Sequence, residues 1–321
     1  MKKFFTLLIT LAILLATATP AFAESINLST EINNILEHYS KTEKSVDTFE
    51  SIVAVYSVNS KVNTFDELKI YENDKSYAGL ILSRLATKKD PFAEFNGVNP
   101  VEALISTQHD NGSFGTFNQH FYSMAALESV KALRGPASVT YASGHALDYL
   151  KSLQKEDGSF GDVEKTAKAI TILNEFSQDA KVSVAIESAK KYLINTEFTT
   201  LNDLCYKVQG LVECGERIDP ELMAKIINFK NNDGSYPDNL TITVLLTLDA
   251  ATTAQTAYGR LIKNGSFAKF TFESLKPYLI AVGILIILSI GFWIYIMTSK
   301  KLKKETKQDD IQNMGKDASL Q

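Results

Sequence analysis

The sequence predicts an all-α protein: an (α/α)6 toroid of helix-pair repeats, followed by one C-terminal transmembrane helix. Three observations predict it. A four-residue turn, Asn/Asp-Gly-Ser-aromatic, recurs at 111–114, 157–160 and 233–236. The stretches on either side of it place apolar residues at spacings of three, four and seven, and no comparable run alternates with period two. Tyr278 to Met297 is 20 residues without a charge, long enough to span a bilayer as a helix.

The ends come first. Met1-Lys2-Lys3, an apolar run from Phe4 to Leu15 and Ala21-Phe22-Ala23 make a secretory signal peptide over 1–23, cut before Glu24. Residues 24–262 are then the toroid ectodomain, 263–277 a juxtamembrane linker and 278–297 the span. Lys300, Lys301, Lys303 and Lys304 open a cytoplasmic tail over 298–321. The expected topology is a single-pass cell-membrane protein with its N-terminal domain outside.

The charge account fits an extracellular domain. Two of the 33 Lys and Arg lie in the signal and six in the tail. Four of the 37 Asp and Glu lie in the tail, which leaves a formal charge of −8 for the rest. Such a surface repels nucleic acid, whose binding rests on neutralising phosphates. Cys205 and Cys214 are nine residues apart in helix-like sequence. On one straight helix that is about 13 Å, too far for a disulfide.

Taken in order, Ile32, Ile35 and Leu36 suggest a first helix, Val53 to Val58 a second and Leu68 to Tyr71 the start of a third. Tyr77, Leu80, Ile81 and Leu85 give a clear stripe, ended at Lys88-Lys89-Asp90-Pro91. Asn99-Pro100-Val101-Glu102 opens the next helix with a cap, a first-turn proline and an acid. Thr116 to Gln119 is a capping box ahead of Tyr122, Ala125, Ala126, Val130 and Leu133. Pairs follow through Leu147 and Leu150, Ile170 and Leu173, Ala185 and Ala189, Val208 and Leu211. The last pair begins at Asp219-Pro220-Glu221 and ends with Leu240 to Leu248. About twelve helices in six pairs close an (α/α)6 barrel. The helices after the Gly turns are the inner ones, and their N-termini gather at one mouth.

The turns themselves read Gln108-His109-Asp110-Asn111-Gly112-Ser113-Phe114, Gln154-Lys155-Glu156-Asp157-Gly158-Ser159-Phe160 and Lys230-Asn231-Asn232-Asp233-Gly234-Ser235-Tyr236. Gly112 and Gly158 are 46 residues apart and Gly158 and Gly234 are 76, so a copy without its Gly falls at 191–196. Asn or Asp before Gly tolerates positive φ, and the aromatic can fold back onto the helices it joins. Over about residues 75–250 these turns resemble the Gln-x-x-Asp-Gly-Ser-aromatic repeat of the prenyltransferase and terpene-cyclase superfamily, which is an α/α toroid.

That resemblance implies three chemistries to weigh. A squalene-type cyclase carries an acidic motif before Thr-Ala; the matching segment is Asp162-Val163-Glu164-Lys165-Thr166-Ala167. Glu164 stands at the proton-donor place, but Lys165 replaces the carboxylate that would keep it protonated. A prenyltransferase β subunit binds zinc through Asp-x-Cys and a later His. Asp203-Leu204-Cys205-Tyr206 matches the first part, yet all four histidines precede Cys205, and a catalytic zinc needs three protein ligands. Glu213-Cys214-Gly215-Glu216-Arg217 resembles a complement-type thioester, with Arg217 where the acyl-donating Gln belongs; Gly215 reads better as a helix C-cap.

The expectation is therefore a non-catalytic domain that binds an unknown small molecule or a surface protein, as secreted toroids such as cobalamin carriers do. No cofactor, metal or nucleic-acid partner is expected. The alternative is a terpene cyclase or prenyltransferase-like enzyme acting on an isoprenoid. The binding residues expected at the mouth are Asn118, His120, Tyr122, Asp162, Thr166, Asp203, Tyr206, Asp238 and Thr241. Asp162, Asp203 and Asp238 are expected as helix caps, and three acids at one rim favour a neutral or cationic ligand over a diphosphate. Tyr122 and Tyr206 are expected as its apolar walls.

Overall fold

The computed structural model describes residues 27–41, 46–58, 66–133 and 135–267, and the single position Ser289. The expected signal peptide, the tail and the span other than Ser289 lie outside the described residues. So does the linker beyond Phe267. Among the described residues there are thirteen α-helices, two short 3-10 helices and no strand beyond an isolated bridge between Phe95 and Val98. None of these helices is long and apolar enough to cross a membrane.

The helices are α1 (Leu28–Lys41), α2 (Phe49–Ser57), α3 (Glu67–Asp74), α4 (Tyr77–Ala86), α5 (Pro100–Ser106), α6 (Phe117–Ala132) and α7 (Ala137–Ser152). They continue as α8 (Val163–Leu173), α9 (Ala180–Asn195), α10 (Leu201–Glu213), α11 (Pro220–Ile227), α12 (Thr241–Thr253) and α13 (Ala257–Asn264). The expected starts are present. Asn99 Oδ1 accepts from Val101 N at 2.9 Å and Asp219 Oδ1 from Glu221 N at 2.8 Å. Thr116 and Gln119 form a reciprocal capping box.

Burial sorts the helices into two kinds. In α4 every residue from Ala78 to Ala86 is buried, and α6 and α8 are buried almost all round. A helix apolar on all sides belongs inside. By contrast α9 buries one stripe, Val182, Ile186, Ala189 and Leu193, and α7 buries Val139, Ala142, Ser143, Ala146 and Leu150. The contacts follow the same division. Helices α2, α4, α6, α8, α10 and α12 each pack on the next, and α12 packs on α2. The others lie against this set: α1 on α12, α3 on α4, α5 on α4 and α7, α7 on α6, α9 on α8 and α10, α11 on α10.

The repeated turns lock neighbours together. Gly112, Gly158 and Gly234 all have φ +85°, a conformation that costs residues with a Cβ about 1–2 kcal/mol. Space adds a second requirement. A Cβ on Gly112 would come within 2.3 Å of the His145 carbonyl oxygen on α7, and one on Gly158 within 2.4 Å of that of Ser188 on α9. Gln108 Nε2 donates to Gly112 O and to Ala142 O, at 3.0 and 2.9 Å. Gln154 Nε2 repeats this with Gly158 O and Ala185 O. The third turn docks on α1 instead, with Gly234 against Asn34 O and Lys230 Nζ 2.6 Å from Glu31 Oε2. Phe114, Phe160 and Tyr236 are buried beneath their turns.

One element falls outside the periodic reading. Helix α13 lies beyond the last expected helix pair and extends two residues past position 262, into the expected linker. It packs on α2, α4, α6, α8 and α12, with Ala257, Tyr258, Gly259, Leu261 and Ile262 buried.

Candidate functional site

A cavity of about 260 Å³ lies among α2, α6, α8, α10 and α12, mostly along their N-terminal halves, with the start of α13 closing it. Tyr122 of α6 and Tyr206 of α10 line it, as the sequence leads one to expect. Between them stands Lys168 of α8. Its Nζ lies 5.0 Å from the Tyr122 ring centroid, 5.3 Å from that of Tyr206 and 5.5 Å from that of Phe121. The same ammonium donates to Glu164 Oε1 at 2.7 Å and to Asn118 Oδ1 at 3.0 Å. It is a buried charge with a carboxylate partner and aromatic faces, the arrangement that makes such burial tolerable.

The aromatic wall continues through Tyr258 of α13, whose ring centroid is 5.5 Å from Phe121 and 5.6 Å from Tyr122. Phe49 packs edge-on to Tyr122 at 4.7 Å. Burial pushes the phenols of Tyr122, Tyr206 and Tyr258 well up, so each stays a neutral hydroxyl at ordinary pH. Glu50, in the first turn of α2, also lines the cavity. Burial raises its carboxyl above the usual range, and the Asp74 carboxylate adds to that.

The nine residues expected at the mouth divide. Asn118, Tyr122 and Tyr206 meet around Lys168. Thr166 and Thr241 are buried stitches: their Oγ1 atoms accept from Phe160 N and Tyr236 N, each at 3.0 Å. His120 is buried against Tyr149 and Phe114, with ring centroids 4.9 and 6.0 Å away, and does not line the cavity. Asp162 caps α8, accepting from Lys165 N at 2.8 Å, with Lys165 Nζ at 2.6 Å. Asp203 and Asp238 are not caps. Thr200 caps α10, with Asp203 in the first turn. Asp238 sits in a 3-10 turn at φ +56°, and α12 starts at Leu240 without a side-chain cap. Local propensity allowed Asp at these places, but Thr200 lay one turn earlier and Pro237 imposed the short turn.

Gln209, whose Nε2 donates to Thr247 Oγ1 at 2.9 Å, lines the cavity too, and with Lys168, Glu50 and Tyr258 it stands outside the nine expected residues. Lys168 carried a readable signal, a charge inside the apolar run Ala167 to Leu173. Glu50 carries only the ordinary signature of a first-turn acid, and Tyr258 lies on α13, beyond the last expected helix pair. No protein-family profile, curated protein or solved structure matches this chain.

The three borrowed chemistries find these surroundings. Glu164 is tied to Lys168 and Lys165 to Asp162. Cys205 is fully buried, and burial pushes its thiol up to about 12. No three His, Cys, Asp or Glu side chains among the described residues cluster to hold a metal. Cys214 ends α10, and Gly215 follows at φ +73°, with Glu216 N donating to Leu211 O at 3.0 Å, a helix stop.

Proposed function

We propose that this chain is an extracellular, membrane-anchored (α/α)6 toroid of the prenyltransferase and terpene-cyclase type that binds a small ligand rather than transforming one. The cyclic packing order of α2, α4, α6, α8, α10 and α12, with the remaining helices outside it, supports the toroid. The signal-like N-terminus and the uncharged run 278–297 followed by lysines support export and a single span, with the tail in the cytoplasm. The observation that carries the binding reading is the cavity of about 260 Å³ walled by Tyr122, Tyr206 and Tyr258. A concave pocket in which aromatic walls meet convergent polar groups, here Glu50, Lys168 and Gln209, is a form that small-molecule sites take.

The test is native mass spectrometry of the full chain released from detergent micelles, to detect a co-purifying small molecule. A titration with an isoprenoid diphosphate and with neutral and amine ligands goes beside it. The binding reading expects a ligand that Tyr206→Ala no longer retains. Tight diphosphate binding would favour the isoprenoid enzyme. A ligand retained equally by Tyr206→Ala would place the site elsewhere.

A further inference from the structure

The geometry points to a ligand bearing a protonated amine, held in this cavity by the Glu50 carboxylate and the Tyr258 hydroxyl. The inference rests on the reading of the cavity as a binding site.

Charge is the first argument. Lys168 is paired with Glu164 at 2.7 Å, so those two nearly cancel. Glu50 makes no ion pair among the described residues, and the Asp74 carboxylate is close enough to act on it. Lys168, Glu164, Glu50 and Asp74 leave a surplus of negative charge on the α2 side of the cavity. Lys168 relieves Glu50 in part, but its own ammonium is already committed. Glu50 is half-buried and already takes a hydrogen bond from Tyr122, and a part-desolvated carboxylate beside a second carboxylate is stabilised further by a cation more than by another neutral donor.

The second argument is an unmet hydroxyl. Tyr258 is 6 % exposed and lines the cavity; the Tyr122 side chain is near enough to act on its hydroxyl, but no hydrogen bond of normal geometry ties Oη down. A buried polar atom without a partner invites an explanation in a ligand. An ammonium can donate to a carboxylate and to a phenol oxygen at once.

The walls supply the third. Tyr122, Tyr206 and Phe121 already surround one ammonium, that of Lys168, with their faces. Rings in this arrangement favour a cation and disfavour an anion. The volume, about 260 Å³, suits a small molecule such as one aromatic ring with a short polar arm. A diphosphate would put its charges against Glu50 and Asp74.

Three probes of matched shape test the idea: 2-phenylethylamine, 2-phenylethanol and phenylacetate, titrated by calorimetry into the full chain in detergent. The amine is expected to bind at least about tenfold more tightly than the alcohol, the weight of one charge-assisted hydrogen bond. Phenylacetate is expected to bind weakest. Glu50→Gln keeps the shape and is expected to erase the preference for the amine at an unchanged melting temperature. Tyr258→Phe, which removes only an oxygen, is expected to weaken the amine severalfold. Equal or tighter binding of the alcohol or the acid overturns the inference, as does an amine preference that survives Glu50→Gln. Absence of binding by all three probes overturns it too. The cavity reading stands or falls separately, on whether any co-purified or titrated molecule is lost in Tyr206→Ala.

Discussion

Lys230 Nζ meets Glu31 Oε2 at 2.6 Å, and this pair joins the third repeated turn to the first described helix. In the two earlier turns a Gln in the same place donates to the outer helix one further on, α7 or α9, through its amide. Among the described residues no later outer helix follows the last turn, and α1 takes the role. Glu31→Lys is expected to lower stability by on the order of 1 kcal/mol, and Glu31→Lys with Lys230→Glu to recover most of it. Thermal melts in low salt read the effect; a double variant no better than the single would refute a closure through this pair.

Glycine conformation and glycine space can be separated. Gly97 has φ +80° with nothing within 4 Å of a built Cβ, whereas Gly158 has φ +85° and the Ser188 carbonyl at 2.4 Å. Gly97→Ala is expected to cost about 1–2 kcal/mol from strain alone. Gly158→Ala is expected to cost more, because main chain cannot step aside cheaply. Chemical denaturation of both variants decides this, and equal losses would mean that the turn does not press on α9.

His120 makes stability depend on pH. Burial pushes its imidazole down to about 4 from 6.5, against the opposing effect of the Ala146 backbone. Between those values the unfolded chain binds the proton and the folded chain does not. Stability is therefore present above pH 6.5 and falls as pH drops towards 4, by on the order of 3 kcal/mol from this group. Subtracting the profile of His120→Leu from that of the wild type isolates it. Parallel profiles across that window would show that His120 titrates normally.

Lys168→Met tests the charge at the centre of the cavity. It keeps the chain length but leaves Glu164 without its ammonium and Asn118 without its donor. A loss of about 1–3 kcal/mol is expected, and Lys168→Met with Glu164→Gln should regain part of it. Equilibrium unfolding of the single and double variants measures the coupling; additive losses would mean that the pair is not coupled.

Much of the fold was legible because its signals are local. The Asn/Asp-Gly pairs set φ at Gly112, Gly158 and Gly234, and Asn99, Thr116, Asp162 and Asp219 start helices within a few residues of themselves. Helical spacing located all twelve expected helices, α1 to α12, and left out only α13. It also named Tyr122 and Tyr206 as walls, since both stand one turn and a half into helices that follow repeated turns.

By itself, then, the sequence determined an all-α chain, its turn positions, most of its caps and two of the cavity's tyrosines. Each of these depends on interactions spanning at most a few residues, which a linear pattern records. Tertiary structure alone decided that α13 packs on five other helices and brings Tyr258 to the cavity. It likewise set Lys168 among Tyr122, Tyr206 and Phe121, turned His120 towards Tyr149, and brought Glu50 to the same space. The reason is geometric. Periodicity tells which face of a helix is covered, but the height at which one helix meets its neighbours is fixed by side-chain packing between segments far apart in the chain.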